Sequence, residues 1–298
     1  MTLGICCSEL AIIPDAARVL SDIAAFGFKK VRFEVPWVLV EPVKGQRNWA
    51  PIVNVVNLAK QNGVELLPIL GVHAPTWSWT AADYGSFCGD AAKVIGAPRY
   101  ECWNEPNLAA FHQNGDAYTY VPQLSAASKA IKAIQPNAQI VMGGLAACEG
   151  ATGFNWWFWL APFGWWTNVS PEDFLQDALN VGANQACDLI GYHPYSIDAG
   201  FNPQAPNASQ VMIARIPKLA GIAKKPLLLT EWGFDHAKID ANTSAAWFQT
   251  QLALLPYDSF LYTWRDYGTT KYGLVDGNNI ARQPIYNAVH AVVAGQAK

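Results

Sequence analysis

The chain has 298 residues, and charged side chains make up only 14% of them, against about 25% in an average soluble domain. Because 51% of the residues are apolar and 13 are tryptophan, the chain can bury a large core, which excludes a disordered, coiled-coil or collagen-like chain. A net charge of −3 without a Lys/Arg cluster excludes an electrostatic surface for nucleic acid or an anionic membrane.

The N-terminal residues 1–7 contain neither a basic leader nor a long apolar run, so no secretory signal is visible. Because a processed or separately exported chain would look the same, the localisation stays open. The six cysteines are too sparse for a disulfide scaffold and have no CxxC spacing, so we expect buried free thiols. The uncharged stretch 150–171 is long enough to cross a bilayer, but Pro162, Gly164 and its Trp and Phe content argue against a transmembrane segment.

Apolar, β-branched runs alternate with amphipathic stretches along the chain. The runs predict eight strands, at residues 3–9, 30–37, 64–72, 99–105, 139–145, 187–195, 226–232 and 259–264. The amphipathic stretches predict helices at residues 15–26, 51–61, 116–134, 171–181, 209–223, 244–255 and 283–293, with a weaker helical pattern at 81–95.

The strand starts are spaced by about 37 residues, a period that suits repeated βα units, and eight such units close a barrel. The alternative is an open, doubly wound sheet, but no glycine-rich phosphate-binding turn is present in the sequence. No linker or shift in composition divides the chain. We therefore predict one (β/α)8 TIM barrel over residues 1–298, with an aromatic-rich insertion after the fifth strand.

Active sites of such barrels lie at the C-terminal ends of the strands, and here these ends are polar and aromatic. Two of them carry a carboxylate after an apolar run, namely Glu105 on the fourth strand and Glu231 on the seventh. Hydrolysis of a glycosidic bond needs one carboxyl group as acid and a second one to meet the developing positive charge. Trp and Tyr faces at the other strand ends suit the C–H faces of sugars.

The sequence resembles clan A of the retaining glycoside hydrolases, whose fold is the (β/α)8 barrel. The resemblance depends on Trp-Asn-Glu-Pro-Asn at the fourth strand end and Thr-Glu-Trp-Gly at the seventh. The segment Tyr-Gly-Leu-Val-Asp-Gly, followed by Arg-Gln-Pro-Ile-Tyr-Asn-Ala, is similar to the last turn of cellulase-like and family 39-like members. The remaining matches are Arg32, His73, His193, Tyr195 and Trp264.

The resemblance implies that Glu105 is the general acid/base and Glu231 the nucleophile. It also implies that Asn104 hydrogen-bonds the 2-hydroxyl group of the sugar. Arg32 would keep Glu231 ionised, and either Tyr195 or His193 would orient it. Trp264 would form the floor of the subsite.

Each residue also has a purely structural interpretation. A lone strand-end Glu is often half of an ion pair, but two of them with Asn104 before the first favour catalysis. His73 and His193 are either pocket residues or hydrogen-bonded core histidines, and Arg32 could bridge strands inside the barrel. The five histidines have no HxH or HExxH spacing, so we expect neither a metal nor another cofactor.

A tryptophan-rich segment, residues 154–166, follows the fifth predicted strand. Because a loop after a barrel strand emerges on the active-site face, we predict that Trp156 and Trp157 form a wall of sugar subsites, which Trp77 and Trp79 in the loop after the third strand would extend. Trp37, at the second strand end, is a separate candidate for substrate binding. The alternative is a lid packed on the rim, or a subunit contact.

These features predict a retaining O-glycoside hydrolase that acts on a neutral poly- or oligosaccharide. The competing hypothesis is a non-catalytic carbohydrate-binding or cell-wall adhesion protein on the same barrel. The expected partner is in both cases a glycan, including cell-wall glycan, and neither nucleic acid nor a membrane is expected.

Overall fold

Eight parallel strands close into a barrel in the computed structural model, which describes residues 2–112, 115–148, 150–154, 165–195, 215–254, 257–269 and 271–296. Neighbouring barrel strands follow chain order, and the last strand pairs with the first. The strands are β1 (Leu3–Cys6), β2 (Lys30–Val35), β3 (Glu65–Leu70), β4 (Arg99–Asn104), β5 (Gln139–Ala146), β6 (Leu189–His193), β7 (Leu227–Trp232) and β8 (Ser259–Leu261).

One main helix follows each strand and packs on the outside of the barrel. The helices are α1 (Ala16–Phe26), α2 (Ala50–Gln61), α3 (Ala81–Ile95), α4 (Ala117–Ile134), α5 (Pro171–Asn180), α6 (Ile216–Ala223), α7 (Ala241–Leu254) and α8 (Ile285–Gln296). The (β/α)8 barrel predicted from the strand spacing is therefore confirmed.

The predicted elements differ from the observed ones mainly at their ends. β1 stops at Cys6 because the chain turns into a short 3-10 helix at Ser8–Ala11. The weak pattern at 81–95 forms a complete helix, since Thr80 and Asp83 make a reciprocal capping box at its start. Of the helix predicted at 209–223, the residues before 215 lie outside the described part of the chain.

Two separate apolar layers hold the barrel together. Side chains that alternate along the strands fill its interior, and the cluster consists of Cys6, Leu67, Val141, Leu189, Leu228 and Phe260. A larger cluster lies between the strands and the helices. Since residues of one strand face the two layers in turn, polar residues at interior positions near the C-terminal ends point into a common pocket.

Five of the six cysteines are buried free thiols, as predicted, and Cys148 is half-buried. Among the described residues, no helix is both long enough and apolar enough to cross a membrane. The segment after β5 begins with a short strand, Ala151–Phe154, and ends with another, Trp165–Asn168. These two strands pair antiparallel. Trp156 and Trp157, between these strands, lie outside the described residues.

Candidate active site

The two predicted carboxylates meet at the C-terminal end of the barrel. Glu105 follows β4 and is 8% exposed, and Glu231 lies in β7 with 12% of its side chain exposed. One oxygen of each, together with a nitrogen of His193, forms a group whose atoms all lie within 4.8 Å of one another. β4 and β7, which are separated by two other strands in the barrel, thus direct their carboxyl groups into one pocket.

The backbone around Glu105 adopts unusual torsion angles. Trp103 and Glu105 have φ values of 73° and 44°, a region that non-glycine residues seldom adopt outside functional sites. The turn is held by the Glu105 amide, which donates to the Gly144 carbonyl at 3.0 Å. The buried side chain of Asn107 adds hydrogen bonds of 2.9 and 3.0 Å to the backbone of Ala146. β5 therefore supports the turn that positions Glu105.

His193 lies between the two carboxylates and is fully buried. Its Nδ1 atom hydrogen-bonds Glu105 Oε1 at 2.9 Å and lies 3.9 Å from Glu231 Oε2. The ring occupies space that exists only because residue 144 is glycine, since a Cβ atom there would lie 2.1 Å from His193 Nε2. The sequence prediction that His193 lines the pocket agrees with this position, in which it contacts the acid/base candidate.

Arg32 connects the buried charges below the pocket. Its Nε atom donates to Glu101 at 2.6 Å, and its Nη2 atom donates to Glu101 and to Asn104, both at 3.0 Å. Its Nη1 atom donates to Glu231. Burial opposes the charge of Arg32, but the carboxylates of Glu101 and Glu231 outweigh it and hold the pKa of Arg32 above its ordinary value.

These contacts keep Glu231 ionised. Burial alone would raise its pKa, but the charges of His193 and Arg32 and the hydrogen bonds from Arg32 and Tyr195 outweigh burial, so the pKa of Glu231 is lowered. The Tyr195 hydroxyl donates to Glu231 Oε2 at 3.2 Å. Both oxygens of the predicted nucleophile thus accept a hydrogen bond.

Two residues in the site escaped the sequence analysis. Glu101, fully buried in the middle of β4, also accepts the Gly144 amide at 2.9 Å. The sequence does contain an indication of its role: Glu101 is an acidic residue inside a predicted strand. It stands four positions before Glu105, an even spacing that puts both residues on the same face of the strand. Tyr262 follows β8, and its ring centroid lies 6.5 Å from that of Tyr195 and 5.5 Å from that of Tyr272.

The tyrosines form one wall of the pocket near Glu231. Burial, followed by the Glu231 charge, raises the pKa values of Tyr195 and Tyr262 well above the ordinary range. Burial also raises the pKa of Tyr272 to about 12, helped by the charges of Asp235 and Glu231. These hydroxyl groups therefore stay protonated at neutral pH and can donate hydrogen bonds.

The structure does not bring Trp37 and Trp264 to the carboxylate pair. Trp37 is fully buried, where it stacks on Phe87 and donates its indole N–H to Glu41 at 2.9 Å. Trp264 packs against Phe26, with ring centroids 5.5 Å apart, on the helix side of the barrel wall. Tyr262, two residues before Trp264, packs against the interior cluster instead, because β8 ends at Leu261 and the regular alternation of side chains does not continue beyond it.

His73 lies at the rim, at the end of β3. Its side chain is 64% exposed, and its Nε2 atom lies 3.5 Å from Glu34 Oε2 of β2. The hydrogen bond and the charge of Glu34 raise the pKa of His73 against the opposing effect of its partial burial. The structure therefore places His73 at the exposed rim, paired with the carboxylate of Glu34.

The oxygen and nitrogen atoms of Glu105, His193 and Glu231 are also close enough to reach one metal ion. However, Arg32 already donates to Glu231, and its Nη2 atom lies 3.5 Å from His193 Nε2. A cation bound to this trio would have to lie beside the guanidinium group. Repulsion from the guanidinium group would oppose a cation there, so the arrangement is better suited to proton transfer than to metal binding.

Comparison with known proteins agrees with this geometry. The family model described as "Cellulase (glycosyl hydrolase family 5)" matches residues 6–268. The chain belongs to this family. The match includes β2 to β8 and with them Arg32, Glu101, Glu105, His193 and Glu231.

Solved structures with the same fold include other glycoside hydrolases. A family 39 glycoside hydrolase from Bacteroides cellulosilyticus is 20% identical with a TM-score of 0.71, and the match covers 99% of this family 5 chain and 64% of the hydrolase chain. A GH5 enzyme from Streptomyces cattleya in complex with GlcNAc is 13% identical with a TM-score of 0.76, and the match covers 99% of this chain and 80% of the enzyme chain. The exo-beta-1,4-mannosidase of an Opitutaceae bacterium is 15% identical with a TM-score of 0.73, and the match covers 100% of this chain and 59% of the mannosidase chain. The chain therefore spans about two thirds or less of the first and third of these proteins.

Proposed function

We propose that this protein is a retaining O-glycoside hydrolase that cleaves neutral poly- or oligosaccharides, with Glu231 as nucleophile and Glu105 as general acid/base. The observation that carries the proposal is the distance between their carboxylate oxygens, within 4.8 Å. Retaining enzymes hold the two carboxyl groups about 5–5.5 Å apart, whereas inverting enzymes need about 6.5–9.5 Å to admit a water molecule.

The surroundings of the two carboxyl groups support different roles for them. Glu231 is hydrogen-bonded by Arg32 and Tyr195, which favours the ionised form that a nucleophile needs. Glu105 is instead hydrogen-bonded by the imidazole of His193, at 2.9 Å. This asymmetry suits one permanent anion and one carboxyl group that exchanges a proton in each half-reaction.

In the first step, a carboxylate oxygen of Glu231 forms a bond to the anomeric carbon while the bond from that carbon to the leaving oxygen breaks. Glu105 gives its proton to the leaving oxygen and becomes a carboxylate. In the second step, Glu105 takes a proton from water, whose oxygen bonds to the anomeric carbon as the ester bond to Glu231 breaks. The sugar is released with its original anomeric configuration, and both carboxyl groups return to their starting states.

Asn104 completes the proposed subsite. Its Oδ1 atom accepts from Arg32, which leaves the amide N–H groups free to donate to a sugar hydroxyl beside the anomeric carbon. Tyr262 and Tyr195 are proposed to pack against the same sugar, in the role that the resemblance implied for Trp264. Trp156 and Trp157 are proposed to extend the binding wall over further sugar units.

We assign no particular sugar to the site, because the solved neighbours include both a mannosidase and a complex with GlcNAc. The test is therefore a panel of aryl β-glycosides and β-linked oligosaccharides of xylose, glucose and mannose, with NMR detection of the first-formed anomer. Retention of configuration supports the proposal. A first-formed product of inverted configuration contradicts the mechanism, and binding without turnover of any member favours the non-catalytic carbohydrate-binding alternative.

A second experiment separates the two carboxyl groups. Glu105→Ala is expected to retain the first step with an aryl leaving group that needs no protonation, and to lose it with an alkyl or sugar leaving group. Glu231→Ala is expected to lose both. Equal losses on both substrates in the Glu105 variant would contradict its role as the acid.

A further inference from the structure

A cavity of about 550 Å³ opens on the outer wall of the barrel, between α1 and α8. Its size lies within the range of about 300–1,000 Å³ that small-molecule sites occupy. Trp264 contributes to its lining, and the backbone N–H of this residue donates to the Cys6 carbonyl of the neighbouring strand at 2.9 Å. The cavity is therefore on the helix side of β1 and β8, whereas the carboxylate pair lies on the inner side.

Aromatic rings form the base of this cavity. Trp264 and Phe26 are almost fully buried and meet edge to face, with ring centroids 5.5 Å apart. Tyr286 of α8 meets Phe26 in the same way at 4.7 Å and lies 6.5 Å from Trp264 at an angle of 52°. The rings are fixed by each other and by the two helices, so the base is preformed and largely rigid.

Polar side chains surround the rings at the mouth. The lining includes two amides, Asn279 and Asn287, together with His290 and Asp22. Asn287 and His290 lie one turn of α8 apart and are both exposed. Asp22 pairs with Arg18 at 3.2 Å, so its charge is already balanced.

We propose that this cavity is a second saccharide-binding site, which holds a neutral sugar unit of a polysaccharide outside the catalytic pocket. Tyr286, the partly exposed ring of the aromatic base, can contact the apolar C–H face of a sugar, and the amides at the rim can hydrogen-bond the hydroxyl groups around its edge. A charged ligand fits less well, because the lining has no lysine or arginine and one carboxylate. The inference adds a binding site to the proposed hydrolase and does not use Glu105 or Glu231.

A site of this kind would keep the enzyme on a polymer between cleavage events. Its effect is therefore expected on polysaccharides and not on small glycosides that occupy only the catalytic pocket. Linked binding at two positions on one polymer raises the overall affinity through the effective concentration of the second site. This property distinguishes a second site from an extension of the catalytic one.

The test is affinity electrophoresis of the Glu231→Gln protein through gels that contain xylan, glucomannan or hydroxyethyl cellulose. We expect retardation by at least one of them. Addition of Tyr286→Ala is expected to weaken the binding about two- to tenfold, which corresponds to the loss of one aromatic contact. Asn287→Ala, at an exposed position of the rim, provides an independent variant, and His290 is left unchanged because its ring packs edge to face on Phe26 at 5.0 Å.

The matched control is Tyr118→Ala, because Tyr118 is 62% exposed and lies on α4, on the other side of the barrel. It should be retarded like the Glu231→Gln protein. Loss of retardation in the control, or equal retardation in all variants, overturns the second site, as does the absence of retardation in every gel. Because no turnover is measured, the result is independent of the proposed hydrolysis, which the anomer experiment tests separately.

Discussion

The guanidinium group of Arg32 forms a two-point hydrogen bond with the carboxylate of Glu101, at 2.6 and 3.0 Å, in the closed interior of the barrel. Both side chains are fully buried. After one bidentate pair, an arginine side chain still has unused N–H donors. Those of Arg32 donate to Glu231 and to Asn104. Glu101 therefore orients Arg32, and Arg32 orients the proposed nucleophile.

Replacement of Glu101 should destabilise the fold. Glu101→Ala leaves the Arg32 charge with one carboxylate fewer and the Gly144 amide without its acceptor, so we expect a loss of about 3–5 kcal/mol in the free energy of unfolding. Glu101→Gln keeps an acceptor for the amide and should lose less. Urea unfolding monitored by circular dichroism measures both variants, and equal stability of wild type and Glu101→Ala would contradict a structural role for the pair.

Tyr195→Phe should shift the acidic limb of the pH profile. The Tyr195 hydroxyl stabilises the ionised form of Glu231 and so lowers its pKa, and removal of this hydroxyl must raise that pKa. The ionised nucleophile is then lost at a higher pH, so the acidic limb of kcat/KM moves upward, by about one pH unit for one charge-assisted hydrogen bond.

Activity of this variant near neutral pH should change less, because Glu231 is still ionised there. Tyr84→Phe is the matched control, since the Tyr84 hydroxyl donates to the Leu70 carbonyl at 2.8 Å in the core. An acidic limb that moves equally in both variants would show that the effect is general and not transmitted through Glu231.

Gly144→Ala should disturb the site without altering any polar group. The new methyl carbon would lie 2.1 Å from His193 Nε2 and 2.4 Å from Thr230 Oγ1, so the imidazole must move away from Glu105. We expect a loss of about 1–3 kcal/mol in stability from overpacking, together with at least about tenfold lower kcat.

The control for this variant is Gly221→Ala in α6, where a Cβ atom meets nothing within 4 Å. It should be neutral or stabilising by about 0.5–1 kcal/mol, as alanine favours helix. Full activity of Gly144→Ala would show that His193 does not need its observed position.

Glu231→Gln should lower kcat by on the order of 10³-fold or more, because the amide has the same shape but cannot act as a nucleophile. The stability of this variant should change much less than that of Glu101→Ala, since Glu231 is at the pocket and partly exposed. Glu65→Gln, an exposed position at the opposite end of β3, is the matched control and should keep wild-type activity on the same aryl glycoside.

Much of the barrel can be predicted from the sequence because strand and helix periodicity are local properties. Each of the eight predicted strands is present, and the two strand-end carboxylates lie together, since the C-terminal ends of parallel strands meet on one face. The helix 81–95 was only weakly indicated because its start depends on the side-chain bonds between Thr80 and Asp83.

Other features depend on contacts between distant residues. The resemblance implied that Trp264 lies below the sugar, but β8 ends at Leu261, and beyond it Tyr262 lies at the pocket while Trp264 packs on Phe26 in the helix layer. Trp37 is similarly enclosed by α3, through its contact with Phe87. Local sequence does not state which face of a short strand points inward.

The number and order of the βα units, and the choice of Glu105 and Glu231 as catalytic candidates, follow from the sequence alone, since both depend on patterns within a few residues of the chain. The charge states of these two groups and the aromatic rings beside them depend on contacts that form when the barrel closes. Arg32, Glu101 and Glu231 are far apart in the chain, and closure of the barrel is what removes them from water and leaves each charge dependent on the others.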